Sequence, residues 1–198
     1  MKDIQFPVQF VFRVSTLHND FRAIDASGKT IAYVKQKLFK FKEDIQIFYD
    51  DSQTDMQYRI KADRWIDFSA GYKFINKEGI EIGKIGRKGW ASIWRAKYEI
   101  FDENPDLKYT ITEENAWIKV IDSLLGEIPV LGFLTGYLFN PKYIVKKQDG
   151  TEVARLKKQP SFFGRKFEID ELIDLKGEED DRILLGLMMM ILLERRRG

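Results

Sequence analysis

The stretch that most constrains the fold is the run of residues 180–198. Asp180-Asp181-Arg182 opens it, eleven apolar or glycine residues follow unbroken from Ile183 to Leu193, and Glu194-Arg195-Arg196-Arg197 comes next. Acids in front and bases behind complement a helix macrodipole. Asp180 or Asp181 suits an N-cap, and Leu and Met favour helix. The pattern therefore predicts a helix over about 181–195. Between Ile183 and Leu193 this helix has no polar face. A helix that is apolar all round is enclosed by protein or by lipid. Eleven residues at about 1.5 Å each cover roughly 16 Å, against about 30 Å of hydrocarbon. Enclosure by protein fits that length. Met188, Met189 and Met190 are adaptable gap-fillers for an irregular lining. Gly186 costs about 1 kcal/mol of helix propensity, which predicts another backbone passing close by.

A recurring pattern supplies the enclosure. Phe21-Arg22-Ala23-Ile24, the turn Asp25 to Gly28, Ile31 to Lys37 and Ile45-Gln46-Ile47 form one copy. Tyr72 to Ile75, a turn ending at Gly79, Ile82 to Lys88 and Tyr98-Glu99-Ile100 form the second. Tyr143 to Lys146, a turn ending at Gly150, Val153 to Gln159 and Phe167-Glu168-Ile169 form the third. Each reads as a hairpin plus one more antiparallel strand, with glycine where the loop needs positive φ. Ala32, Gly83 and Ala154 stand two residues before Val34, Ile85 and Leu156. Residues i and i+2 share a face, so this small-then-branched face points inward. Tyr33, Lys35, Lys84, Arg155 and Lys157 lie on the other face.

Val8, Phe10, Phe12 and Val14 alternate as a further strand ahead of the repeats. Three units plus strands before and between them predict a mainly β chain of roughly nine to twelve strands. So many strands resolve their edges by closing. A barrel of that size is wider than side chains alone can fill, and the apolar helix fills it. The expectation is one domain over 1–198, a closed antiparallel barrel of about 12 strands around the helix at about 181–195. A helical and apolar insert is expected near 113–140. Thr112-Glu113-Glu114 reads as its capped start, and Val120, Ile121, Leu124, Leu125 and Ile128 recur at helical spacing.

A barrel wound around an apolar terminal helix resembles the tubby C-terminal-like superfamily, which includes phospholipid scramblases and LURP-one-related proteins. The residues that carry the resemblance are Gly79-x-x-Ile82-Gly83-Lys84-Ile85 and Gly150-x-x-Val153-Ala154-Arg155-Leu156. With them go Phe162-Phe163-Gly164 before Phe167-Glu168-Ile169, and Gly177-Glu178-Glu179-Asp180-Asp181 ahead of the helix. The chain looks most similar to small bacterial LURP-one-like proteins. The resemblance implies a twelve-stranded barrel with a central helix. It also implies binding, since tubby-type domains bind phosphoinositide headgroups. Scramblases add a calcium-binding acidic segment and a cysteine-rich region. This chain has no cysteine, and Asp102-Glu103-Asn104-Pro105-Asp106 lacks an EF-hand pattern. No calcium or other metal site is carried over, and no cofactor is expected.

The absence of cysteine excludes disulfides, thiolate metal sites and thiol catalysis. His18 is the single histidine, in the turn His18-Asn19-Asp20, without partners for a triad or a metal site. No phosphate-binding loop or dinucleotide fingerprint is present. An enzyme is therefore not expected. The net charge of +2 specifies no partner, but bases cluster locally. Lys142, Lys146, Lys147, Arg155, Lys157, Lys158, Arg165 and Lys166 interleave with Tyr143, Phe162 and Phe163. Lys35, Lys37, Lys40 and Lys42 surround Phe39 and Phe41. The expected lipid- or phosphate-binding set is Lys146, Lys147, Arg155, Lys157, Lys158, Arg165 and Lys166. A structural or protein-interaction barrel stands as the alternative, with Val130, Leu131, Phe133, Leu134, Tyr137 and Phe139 of the insert as its oligomer or partner contact. Nucleic acid ranks below both. Residues 1–7 hold no signal-peptide core, so the expected location is cytoplasmic, with peripheral membrane attachment.

Overall fold

A computed structural model describes residues 1, 4–13, 20–36, 44–63, 68–88, 97–114, 141–160, 166–175 and 177–195. Among these described residues, twelve strands and one helix follow in order: β1 (Val8–Phe12), β2 (Phe21–Ile24), β3 (Thr30–Gln36), β4 (Asp44–Phe48), β5 (Met56–Asp63), β6 (Phe68–Asn76), β7 (Glu81–Lys88), β8 (Lys97–Phe101), β9 (Leu107–Glu113), β10 (Lys142–Lys147), β11 (Glu152–Gln159), β12 (Lys166–Glu171) and α1 (Glu178–Arg195). Every strand is antiparallel to the one before it, and β1 pairs with both β2 and β12, which closes the barrel. The three repeat copies supply nine strands, and β1, β5 and β9 complete the ring. The seam is packed by aromatic rings. Phe12 of β1 lies 4.6 Å from Phe21 of β2 and 6.0 Å from Phe167 of β12, centroid to centroid.

The repeats share an irregularity that explains their sequence. In all three hairpins the register slips near the turn, so that Ile31, Ile82 and Val153 are extra residues on β3, β7 and β11. At such a bulge two residues oppose one on the partner strand. Ile31 and Ala32 both join the core, as do Val153 and Ala154. A small residue after a branched one is what that crowding allows. Gly83 shows the limit. Its φ is +155°, and a Cβ there would lie 2.5 Å from the Phe101 carbonyl oxygen and 3.4 Å from Arg182 of the helix. The small-residue face does point inward.

The helix fills the barrel. Every residue from Asp181 to Leu192 is buried, and Leu185, Leu187, Met188, Met189 and Met190 are 0% exposed. Two expectations are corrected. The helix starts at Glu178 rather than about 181, so Asp180 and Asp181 lie inside its first turn and are not its cap. At Gly186 the close neighbour is a side chain, not a backbone: an added Cβ would sit 2.5 Å from Ile100 Cδ1. A third correction concerns the insert. Thr112 and Glu113 belong to β9, where they pair with Lys97, Ile144 and Tyr143, and the Glu114 N–H still donates to the Lys142 carbonyl at 2.8 Å. Sheet pairing on both sides overrides the local capping signal. The rest of the expected insert, 115–140, lies outside the described residues.

Candidate functional site

In an antiparallel meander successive connections alternate between the two ends of the barrel. The helix enters at one end, here termed the N-rim, and its C-terminus lies at the other, the C-rim. The turns after β2, β4, β6, β8 and β10 are at the N-rim. Those after β1, β3, β5, β7, β9 and β11 start and finish at the C-rim.

The N-rim turns tie themselves through Asp or Asn side chains. Asp25 Oδ1 accepts from the Ser27 N–H at 3.0 Å, the Ser27 hydroxyl at 2.6 Å and the Lys29 N–H at 3.0 Å. Asp50 accepts from Ser52, Asn76 from the Ile80 N–H, Asp102 from the Asn104 and Asp106 N–H groups, and Asp149 from the Thr151 N–H. Hydrogen bonds from Ser27, Ser52 and Thr151 hold the carboxyls of Asp25, Asp50 and Asp149 below the usual range.

The first helical turn is tied to the same rim. Tyr58 donates to Asp181 at 2.6 Å, and the Met1 ammonium lies 2.5 Å from the same carboxylate. Tyr109 donates to Glu179 at 2.9 Å. Arg182, buried at 8% exposure, donates Nε–H to the Ile82 carbonyl at 2.6 Å and a second N–H to Glu103 at 2.6 Å and Glu178 at 2.9 Å. Burial, followed by the neighbouring carboxylate, raises the Tyr58 and Tyr109 pKa values and keeps both hydroxyls as donors. Asp180 has no such donor at its buried Oδ1. Burial, with Glu171, Asp181 and Asp174 nearby, pushes its pKa up to about 6.

At the C-rim Tyr98 donates to Glu194 at 2.5 Å, and the Arg87 guanidinium lies 4.0 Å from Glu194 and 5.8 Å above the Tyr98 ring. The exposed charges differ sharply between the rims. Among the described residues the exposed ones at the N-rim include Asp50, Asp55, Glu78, Asp106 and Asp149, the Arg182 partners Glu103 and Glu178, and further round Asp174, against Lys29 and Lys77. At the C-rim they are Arg13, Lys61, Lys88, Lys97 and Lys142, against Glu114, and Lys88 and Lys97 each lie 3.4 Å from the buried Glu99 carboxylate. The sequence between the strand ends of the C-rim also holds all four tryptophans, Trp65, Trp90, Trp94 and Trp117.

The expected basic set is divided between these regions. Lys146 and Lys147 stand at the N-rim end of β10, and Lys146 is paired with Glu152 at 3.0 Å. Lys157, Lys158 and Lys166 stand at the C-rim end of β11 and β12. Lys142 and Lys147 are about 16 Å apart along β10, at about 3.3 Å per residue. Arg155 lies mid-wall, 3.4 Å from Glu152 and 4.0 Å from Glu114. Lys157 is paired with Asp170 on β12 at 2.6 Å. Lys35, on the first copy, donates to Gln53 at 2.6 Å. Arg165, Lys37, Phe39, Lys40, Phe41, Lys42, Phe162, Phe163 and the insert contacts Val130, Leu131, Phe133, Leu134, Tyr137 and Phe139 lie outside the described residues, as does His18. Sequence reading overlooked Lys61, Lys88 and Lys97 and the grouping of the tryptophans. Sorting the connections by strand parity would have collected them at one end.

Among the described residues no helix is long and apolar enough to cross a membrane, and no group of three or more His, Asp or Glu is placed to hold a metal ion. The model of the LURP-one-related family matches residues 30–170, from the first repeat to the last strand. The chain belongs to the LURP-one-related family. That family lies within the tubby-like superfamily, whose domains are generally non-catalytic. Comparison with curated proteins and with solved structures returns no match. The match spans β3 to β12 and ends before the helix, and membership points to a tubby-like binding domain. What such a domain binds has to be argued from its own surface.

Proposed function

We propose that this LURP-one-related barrel is a non-catalytic binding module for anionic phospholipid headgroups at a membrane surface. The observation that supports it is the C-rim, where exposed bases surround strand ends whose connecting sequences hold every tryptophan of the chain. Tryptophan partitions to the headgroup level of bilayers. Each Lys or Arg near an anionic surface contributes about 1 kcal/mol; Lys88 and Lys97 share Glu99, so Arg13, Lys61 and Lys142 carry most of that attraction.

Flotation with vesicles tests this. The protein is expected to rise with anionic vesicles, to stay down with neutral ones, and to be released as salt increases. Replacing Lys61 and Lys142 with Ser should weaken retention more than replacing Lys146 and Lys147, because only the first pair lies at the C-rim. No retention at low salt would overturn the lipid reading. The contact to examine would then be a protein partner at Val130, Leu131, Phe133, Leu134, Tyr137 and Phe139.

A further inference from the structure

The first helical turn carries more negative charge than the helix itself can balance. Glu178, Glu179, Asp180 and Asp181 follow one another, and a helix N-terminus offers only about half a positive charge. Bonded groups meet most of the remainder. Glu178 meets Arg182 at 2.9 Å, and Glu179 accepts from Tyr109 at 2.9 Å. Asp181 is the deepest of the four, at 8% exposure, and both of its carboxylate oxygens are engaged. Oδ2 accepts the Tyr58 hydroxyl at 2.6 Å, and Oδ1 accepts from the Met1 ammonium at 2.5 Å. The ammonium also donates to the Tyr58 oxygen at 3.0 Å. The three groups close a ring: ammonium to carboxylate, ammonium to phenol, and phenol to carboxylate.

We infer that Asp181 and Tyr58 form a binding site for a primary ammonium group, filled in this structure by the α-amine of Met1. The acceptors belong to α1 and β5, not to the first residue, so the site persists whichever primary ammonium enters it. The ring sets the chemistry. A primary ammonium has three N–H donors and uses two of them on Oδ1 and the Tyr58 oxygen. A quaternary ammonium has none to give. Burial, followed by the bond to Asp181, raises the Tyr58 pKa, so the phenol keeps its proton for Oδ2 and turns its lone pairs to the ammonium. With the ammonium gone, Asp181 would be a buried carboxylate bonded only to a neutral hydroxyl, and an unmatched charge out of water is costly. The ammonium's charge also reaches Asp180, whose buried Oδ1 has no donor. Met1 packs its side chain against the core, which holds the amine at the site. Acylating that amine removes its charge and leaves a single N–H, so the site empties and the first turn of the helix loses a tie. Modification of the α-amine is therefore read directly by the central helix.

This inference stands apart from the lipid reading and is tested by thermal unfolding of the full chain. Gly-Ser placed ahead of Met1 carries the ammonium away and leaves the site to be filled from solution. The extended chain is expected to melt roughly 2–4 °C lower than the chain that starts at Met1. Methylammonium chloride is expected to restore part of that loss, and tetramethylammonium chloride at the same concentration to restore none. In an Asp181→Asn background the extension is expected to lower the melting temperature no further, since the charge that the ammonium answers is already gone. Tyr58→Phe keeps the carboxylate and removes one acceptor, so it is expected to shrink the loss caused by extension. It serves as the partner variant where Asp181→Asn does not fold. No loss on extension, a loss of the same size in both variant backgrounds, or equal action of the two salts on the extended chain overturns the ammonium site.

Discussion

The two rims of this barrel are made from different chemistry. At the N-rim, the turns after β2, β4, β6, β8 and β10 each carry an Asp or Asn that accepts a hydrogen bond from the turn itself. There, too, Tyr58, Tyr109 and Arg182 fasten the helix. At the C-rim, Tyr98 and Arg87 meet the helix at Glu194, and the exposed groups are bases beside tryptophan-bearing connections. The difference separates two tasks. One end ties down the start of the helix, and the other carries exposed bases at strand ends. The helix joins them, because its apolar length is buried from the first turn to Leu192.

The strongest way to break this division is to break the helix that spans it. Leu187 is 0% exposed. Leu187→Asp places an unpaired charge in the core, at a cost of several kcal/mol, comparable to the total stability of a domain. The variant is expected to lose cooperative thermal unfolding and to accumulate as insoluble protein. A soluble Leu187→Asp chain with a native circular dichroism spectrum would show that the helix is not the core of the barrel.

Cutting one tie at each rim compares them directly. Arg182→Met removes buried hydrogen bonds from a charged donor, worth about 2 kcal/mol, or roughly 4–8 °C in melting temperature for a chain of this size. Glu194→Gln keeps an acceptor for the Tyr98 hydroxyl and loses under about 1 kcal/mol from a partly exposed group. Equal losses from the two variants would mean that the N-rim holds the helix no more firmly than the C-rim does.

How much of this was legible in the sequence follows from the range of each interaction. The run Ile183 to Leu193 and the glycines at Gly28, Gly79 and Gly150 are local signals, and both the enclosed helix and the hairpins came from them. β5 and β9 stand between repeats and lack the glycine-marked turn, so only the strand total implied them. Thr112 and Glu113 mislead because a Thr-Glu-Glu run has the composition of a helix start, while the pairing to β8 and β10 that decides the matter comes from outside the segment. The wall lysines mislead for the same reason. Lys157 is a solvated base in sequence and an ion-paired one in the barrel, because Asp170 lies on the neighbouring strand. The rims needed no contacts at all, only the alternation of connections, yet composition read along the chain mixes the two ends.

The smallest expected effect sits inside the N-rim, at Asp180. It is the one helix-start acid with a buried oxygen and no donor to it, while Asp181 and Glu179 receive tyrosine hydroxyls. Burial and the carboxylates of Glu171, Asp181 and Asp174 raise its pKa to about 6, from 3.8 in the unfolded chain. A group raised in the folded state binds its proton more tightly there than in the unfolded state. Its contribution to stability is therefore complete below pH 3.8 and is lost as pH rises through about 6. Asp25, Asp50, Asp102 and Asp149 are shifted the other way, so their contributions persist until pH falls toward the acid range. In a His18→Gln background, to silence the one histidine, stability should increase by under about 1 kcal/mol between pH 7 and pH 5, since partial exposure of Asp180 screens the effect. Asp180→Asn should abolish that slope and be the more stable protein at pH 7. Urea denaturation at the two pH values reads both. An unchanged slope in the Asn variant would move the proton-sensitive group elsewhere. It would also leave the N-rim without the one strained position that its otherwise satisfied hydrogen bonds make conspicuous.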